Sequence, residues 1–259
     1  MNIRPPFCFN TIYLLIMRLY IVILLSISFI SCSSPAKRQP PIAATGKTDT
    51  TSRIMPDSLK TQLLHEINLS VKSGFYSSEE TLDNVKQIFD DDSLDEQWVI
   101  SHINRAYAQV FNAQTQWPQL LGFDRLAKAF DKLNQHHIIA LHNQGITRED
   151  GEDGCKELHK TLKKEGINTR GYCFYHGQDV GHVIETKTLY IAFGDFDDND
   201  RKAVSIGKEL VKALKEQGFK VVWNNTAATR IEIIGFTWRK RFGNGNCSYD
   251  RAVKILKGY

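Results

Sequence analysis

Ile138–Asp179 reads IIALHNQGITREDGEDGCKELHKTLKKEGINTRGYCFYHGQD, and its pattern decides the fold. The β-branched, apolar run Ile138–Asn143 predicts a strand that Gly145 ends. Thr147 is placed to cap a helix, with Asp150 three residues on as an acidic stand-in for the glutamate of a capping box. Cys155, Leu158 and Leu162 fall on one face of that helix, and Gly166 stops it. Gly171–Gly177 (GYCFYHG) predicts the next strand. It closes on the densest polar cluster of the chain, His176, Gln178 and Asp179.

Three more strands follow: Thr188–Gly194 (TLYIAFG), Phe219–Trp223 (FKVVW) and Arg230–Trp238 (RIEIIGFTW). Between the first two lies a helix over Arg201–Gln217, with Val204, Gly207, Leu210, Val211 and Leu214 inward. The element order predicts an α+β fold, a βαββαβ(β) sandwich in ferredoxin-like order, with both crossover helices on one sheet face. The middle strands are apolar on both sides: Tyr172 and Phe174 against Cys173 and Tyr175, Leu189 and Ile191 against Tyr190 and Ala192. Such strands need cover on both faces.

That second cover is expected from an N-terminal helical region. Leu59, Leu63, Leu64 and Ile67 repeat at helical spacing after Pro56, and Gly74 stops the run. A second helix follows Ser77-Ser78, with Glu79 and Glu80 in its first turn, where acids favour the helix dipole. Longer helices over Leu94–Gln116 and Phe123–Asn134 are the predicted lids. Asp90-Asp91-Asp92 reads as a solvated loop. The chain thus divides into a helical region over 57–135, an α/β body over 136–242, and a turn with a short closing helix over 243–259.

The front of the chain reads as an address. Leu19–Ile30 (LYIVILLSISFI) is an apolar run of secretory length, preceded by Met17-Arg18 and closed by Ser31-Cys32. It resembles a bacterial lipoprotein signal, although Phe29 stands where that pattern has leucine. Residues 1–31 are then the signal peptide, with Met17 fitting its start. Cys32 is the residue for cleavage and acylation (diacylglyceryl, palmitate), and 32–56 form a polar, flexible tether. The competing reading, an uncleaved span over Ile12–Ile30, would put Arg18 inside the bilayer at considerable cost. Both readings leave the body membrane-anchored on the periplasmic or cell-surface side.

Composition narrows the function classes. With 42% hydrophobic and 24% charged residues the chain can build a core. Its net charge is +4. Removing residues 1–31 takes away Arg4 and Arg18 and no acid, leaving +2, too little to point to nucleic acid. The cysteines (8, 32, 155, 173, 247) form no CxxC pair, so neither a zinc ribbon nor a redox dithiol is expected.

Several segments together carry a family resemblance: Phe123–Phe130 (FDRLAKAF), Ala140–Gly151 (ALHNQGITREDG), Gly171–Asp179 (GYCFYHGQD), Leu189–Gly194 (LYIAFG), Val221–Asn224 (VVWN) and Arg230-Ile231. In this order they resemble a bacterial family known only as a domain of unknown function, over roughly Leu59 to Trp238. The resemblance brings no activity, cofactor or catalytic residue. The lipoprotein-type front is a departure from it.

Among chemical groupings, His176 and Asp179 could be half of an acid–base or metal site, but no HExxH, GxSxG or ligand-spaced partner accompanies them. Alternation puts His176 on the face of Tyr172 and Phe174, at the edge of an aromatic core. Asp150, Glu152 and Asp153 are explained by helix capping. Asp195, Asp197 and Asn199 imitate a calcium loop whose sixth position is Asp200 rather than glycine and whose twelfth is Ile206, so a solvated loop is expected. Cys173 reads as a buried, inert thiol. The candidate binding residues are His176, Gln178, Asp179, Asn143, Trp223, Asn224 and Arg230, with Cys32 the lipidation site. No catalytic residue, metal or cofactor is assigned. The expected role is a non-catalytic, membrane-tethered binding domain of the bacterial envelope, whose partners are the membrane and an envelope protein or small ligand. The alternative is a hydrolase, metal-assisted or not, centred on His176 and Asp179. The basic, aromatic run Trp238-Arg239-Lys240-Arg241-Phe242 fits anionic lipid or a partner better than nucleic acid on a tethered protein.

Overall fold

The structure is a computed structural model that describes residue 41, residues 55–89 and residues 94–259. The expected signal, Cys32, most of the tether and Asp90–Asp92 lie outside the described residues.

The first three helices, α1 (Asp57–Ser73), α2 (Ser78–Ile88) and α3 (Glu96–Gln114), form a bundle with its own core. Their ends follow local chemistry. Gly74 closes α1 in the left-handed conformation (φ 73°). Ser77 and Glu80 form a full capping box on α2, with N···O distances of 3.1 and 2.6 Å. The Asp95 carboxylate caps α3 by accepting from the Trp98 N–H. Leu63, Ile67, Val85, Val99 and Ile103 are almost wholly buried between the helices.

The body runs α4 (Gly122–Gln135), β1 (Ile138–Leu141), α5 (Arg148–Lys164), β2 (Gly171–Phe174), α6 (Gly177–Thr186), β3 (Thr188–Gly194), α7 (Asp200–Glu216), β4 (Lys220–Val222), β5 (Ile231–Ile234), a 3-10 turn and α8 (Tyr249–Leu256). The α+β class stands. The strand order is β1-β2-β3-β5-β4, with β1 and β2 parallel and every other pairing antiparallel. This differs from a ferredoxin-like interleaving. There, each crossover helix joins strands with another strand between them; here α5 joins immediate neighbours, and only the α7 crossover has a strand, β5, in its gap. A helix, α6, also occupies residues 177–186, where the sequence suggested only a polar strand end.

The two crossover helices lie on opposite faces, contrary to the expectation of one shared face. Ile138, Ala140, Cys173, Leu189 and Ile191 point to a core filled by α4 and α7 (Phe123, Phe130, Leu133, Ile206, Leu210). The alternate residues Ile139, Leu141, Tyr172, Phe174 and Ala192 point the other way, to α5 (Cys155, Leu158, Leu162) and α8 (Ala252, Leu256). Of the two helices expected as lids, α4 covers the sheet while α3 belongs to the bundle. Gly151 fits α5 tightly onto β2: a Cβ there would lie 2.1 Å from the Phe174 ring.

β3 is shared along its length. Its first half, Thr188–Ile191, pairs with β5, and its last residues, Ala192–Gly194, pair with β2. α6 packs against β3 and also meets α1, where His65 lies 3.4 Å from Glu185. The bundle is fastened further by Trp238 Nε1 donating to the Ser73 carbonyl (3.1 Å) and Lys240 Nζ to the Gly74 carbonyl (2.6 Å). Both carbonyls belong to the C-terminal end of α1, where cations are favoured.

The β5–β4 half of the sheet has one open face. Its cross-strand rows are Tyr190–Glu232–Val222 and Thr188–Ile234–Lys220. Val222 is 48% and Ile234 39% exposed.

Candidate functional site

The polar cluster forms where β2 gives way to α6. His176 takes the N-cap position in extended backbone. Asp179, in the first turn, turns its carboxylate back: Oδ2 accepts from the His176 backbone N–H (3.2 Å) and lies 3.1 Å from His176 Nε2. Oδ1 accepts from Arg230 Nη1 at 2.7 Å. Arg230 arrives from just before β5, and its guanidinium lies 4.6 Å above the Tyr190 ring. His182 of α6 packs beside the same ring at 5.1 Å.

A carboxylate can only accept, so the proton on the imidazole is assigned to Nε2. The 3.5 Å approach of Arg230 Nη1 to Nε2 is then a contact between two donors. Nδ1 is left as a bare acceptor, buried and without a hydrogen-bond partner. Burial lowers the His176 pKa; Asp179 opposes that shift and Arg230 reinforces it. The ring is therefore neutral near pH 7. His176 and Asp179 are 4% and 3% exposed, so the pair is enclosed rather than lining an open cleft.

The neighbouring loop is tied to this junction. Gln144 N–H donates to the Tyr175 carbonyl, Gly177 N–H to Gly145 and Gln178 N–H to Ile146. The first-turn donors of α6 that would otherwise suit an anion are thus occupied from within. Asn143 (φ 48°) and Gly145 (φ 71°) turn the loop, and α5 starts from the expected box: Asp150 N–H to Thr147 Oγ1, Thr147 N–H to Asp150 Oδ2. His142, at the end of β1, stacks on Phe130 at 4.4 Å and its Nδ1 lies 2.9 Å from the Tyr175 hydroxyl. Burial, then Lys240, pushes its pKa down to about 3.

Of the candidate binding residues, the structure joins His176, Asp179 and Arg230. Gln178 is an exposed neighbour, and the Asn143 amide lies near Gly177. Trp223 and Asn224 build a different feature, the β4–β5 turn. Asn224 Oδ1 accepts from Thr226 N–H, Thr226 Oγ1 and Thr229 Oγ1, while Trp223 Nε1 donates to the Thr226 carbonyl. Tyr190 and His182 complete the cluster and were not singled out in the sequence. The signal available for them was Tyr190, a polar-tipped residue in an apolar strand.

The remaining groupings settle into structural roles. Asp195 accepts from the Asp197 and Asn199 N–H groups, and Asn199 caps α7. Burial pushes the Cys173 thiol far up, which suppresses the thiolate. Among the described residues, no group of three or more His, Cys, Asp or Glu side chains could hold a metal ion. A cavity of about 20 Å³, the room of one water, lies between α4 and the C-terminal segment.

An α+β body behind a helical bundle, with a buried His–Asp pair held by a partly exposed arginine at a strand end, is the class of protein that the geometry defines. Residues 56–242 match a family described as a domain of unknown function (DUF6891), and the chain belongs to that family. No curated protein and no solved structure matches the chain.

Proposed function

We propose that the chain is a non-catalytic binding domain of the bacterial envelope, tethered to the membrane by lipid on Cys32. It meets a protein or small ligand through the surface around Arg230 and the open β5–β4 face. The observation that carries this reading is the enclosure of His176 and Asp179. Their polar atoms tie α6 to β5 through Arg230, and among the described residues no nucleophilic hydroxyl or thiol is bonded to the imidazole. An acid–base pair working on a substrate needs a reacting atom within reach. What remains accessible is the face carrying Tyr190, Glu232, Val222 and Ile234, edged by the partly exposed Arg230. Exposed apolar side chains grouped on one sheet face are a common mark of a docking surface.

The alternative, a hydrolase centred on His176 and Asp179, draws its support from the unpartnered Nδ1. One experiment separates the two. A photo-crosslinking residue placed at 222 in the full-length protein, in native envelopes, is expected to give a discrete adduct that Ile234→Lys abolishes. An adduct-free protein whose hydrolysis of generic ester substrates disappears with His176→Gln would replace binding with catalysis. For the tether, Cys32→Ala is expected to move the protein from the membrane to the soluble fraction; retention there would refute lipid anchoring.

A further inference from the structure

We propose that the loop between α3 and α4, together with Arg239, is a second membrane contact that seats the folded body on an anionic phospholipid surface. The proposal rests on the tethered reading and adds a lipid-facing side to it. Leu120 is 54% exposed, the most exposed large aliphatic side chain among the described residues. Three residues before it Trp117 stands half-buried, with the Arg239 guanidinium 5.8 Å from its ring.

The loop is held in place. Arg241 donates to the carbonyls of Trp117 (3.3 Å), Pro118 (2.6 Å) and Gln119 (3.3 Å), so one side chain braces three successive peptide groups. A braced loop presenting an apolar tip, an aromatic ring and arginines has the composition that settles at a headgroup boundary.

Charge points the same way. No aspartate or glutamate occurs from residue 97 to 123, nor from 233 to 249. Those two segments meet at this loop, where Arg239 is exposed beside Trp117 and Arg241 braces the backbone, while Lys240 is buried on the Gly74 carbonyl. The carboxylate next to them is Asp124, whose Oδ2 lies 3.9 Å from Arg241 Nη1; its oxygens also accept from the Leu121 N–H and the Asn244 amide. Each basic residue near an anionic surface favours the docked state roughly fivefold.

The anchor can reach. The 22 residues between Cys32 and Met55 span at most roughly 75 Å of chain. Two residues past Met55 begins α1, a helix about 26 Å long whose far end is bonded to Trp238 and Lys240, next to Arg239. The distance to be bridged is well inside the limit.

The test uses the purified full-length protein in vesicles of phosphatidylcholine alone or mixed with phosphatidylglycerol, with brominated acyl chains as quenchers of tryptophan fluorescence. The mixed vesicles are expected to quench a component that Trp117→Phe removes, that Leu120→Asp abolishes, and that Arg239→Gln weakens roughly fivefold in the docked-to-undocked ratio. Quenching that survives in Trp117→Phe, or that is equal without phosphatidylglycerol, overturns the proposal. An unquenched Trp117 also overturns it and assigns the loop to a protein partner instead. Intact mass of the same sample reads the tether separately. A lipidated chain without quenching sinks the docking surface alone, and an unlipidated chain that is still quenched sinks the tether alone.

Discussion

The β1–β2 half of the sheet and the β5–β4 half are built from equally short strands, yet one is covered on both faces and the other on one. Ile139, Leu141, Tyr172 and Phe174 lie under α5 and α8, whereas Glu232, Ile234, Lys220 and Val222 face outward. The difference follows the residues. β1 and β2 are apolar at every position, while β5 and β4 alternate or carry a charge. Two-sided greasiness demands two lids strand by strand, not sheet by sheet. The half with a bare face is also the half with surface to offer a partner.

The comparison can be broken at its strongest point first. Phe174→Ala, in the covered half, is expected to cost about 3–5 kcal/mol in chemical denaturation. A cost below about 1 kcal/mol would mean that the α5 lid is loosely packed. Asp179→Ala strips the carboxylate that joins α6 to Arg230 and is expected to cost about 2 kcal/mol in lost charged hydrogen bonds, Arg230 being partly exposed to water. Little change would place the two halves under separate control. Gly151→Ala improves helix propensity by up to about 1 kcal/mol but drives a methyl into the buried Phe174 ring. Overpacking of about 1–3 kcal/mol wins, and a lower melting temperature is the expected result.

Acid tests the covered half by another route. His142 and His176 stand at the ends of β1 and β2, and burial holds both below the ordinary value of 6.5. A histidine that folds into a lower pKa stays neutral in the folded chain while the unfolded chain takes up a proton. Its contribution is intact above pH 6.5 and is lost as pH falls toward the folded value, which is about 3 for His142. Urea titrations between pH 6 and 5 should therefore lose up to about 1.4 kcal/mol per pH unit from His142, with His176 adding in the same direction. A His142→Asn variant should show the shallower slope. The smallest effect belongs to the open half: Val222→Thr and Ile234→Thr are expected to stay within about 0.5 kcal/mol of the parent, and a larger loss would reveal a face that is not truly free.

Local chemistry was legible in the sequence wherever a single side chain carries it. The capping pairs Ser77–Glu80 and Thr147–Asp150, the stops at Gly74 and Gly166, and the apolar strands all come from residues within four positions of one another. α6 was hidden because Gly177 and Gly181 depress helix propensity and its cap is a histidine, although Asp179 three residues on and Val180, Val183 and Ile184 at helical spacing were there to be read. The faces taken by α5 and α7 depend on strand order, which no local pattern records. The Arg230–Asp179 bond joins residues 51 apart, so their pairing is a tertiary fact. Trp223, Asn224 and Arg230 stood together among the candidate residues; the fold gives Arg230 to Asp179 and Tyr190 and leaves the other two to the β4–β5 turn.

β3 spends its first half on β5 and its last residues on β2, and so it is the single thread stitched through both parts of the sheet. No cut of the chain can yield the sandwiched part and the one-sided part as two whole pieces, because whichever kept β3 would turn the other's inner strand into an edge. Amides of Leu189–Ile191 and of Ala192–Gly194 should accordingly exchange with deuterium at one common rate, set by the opening of the whole body.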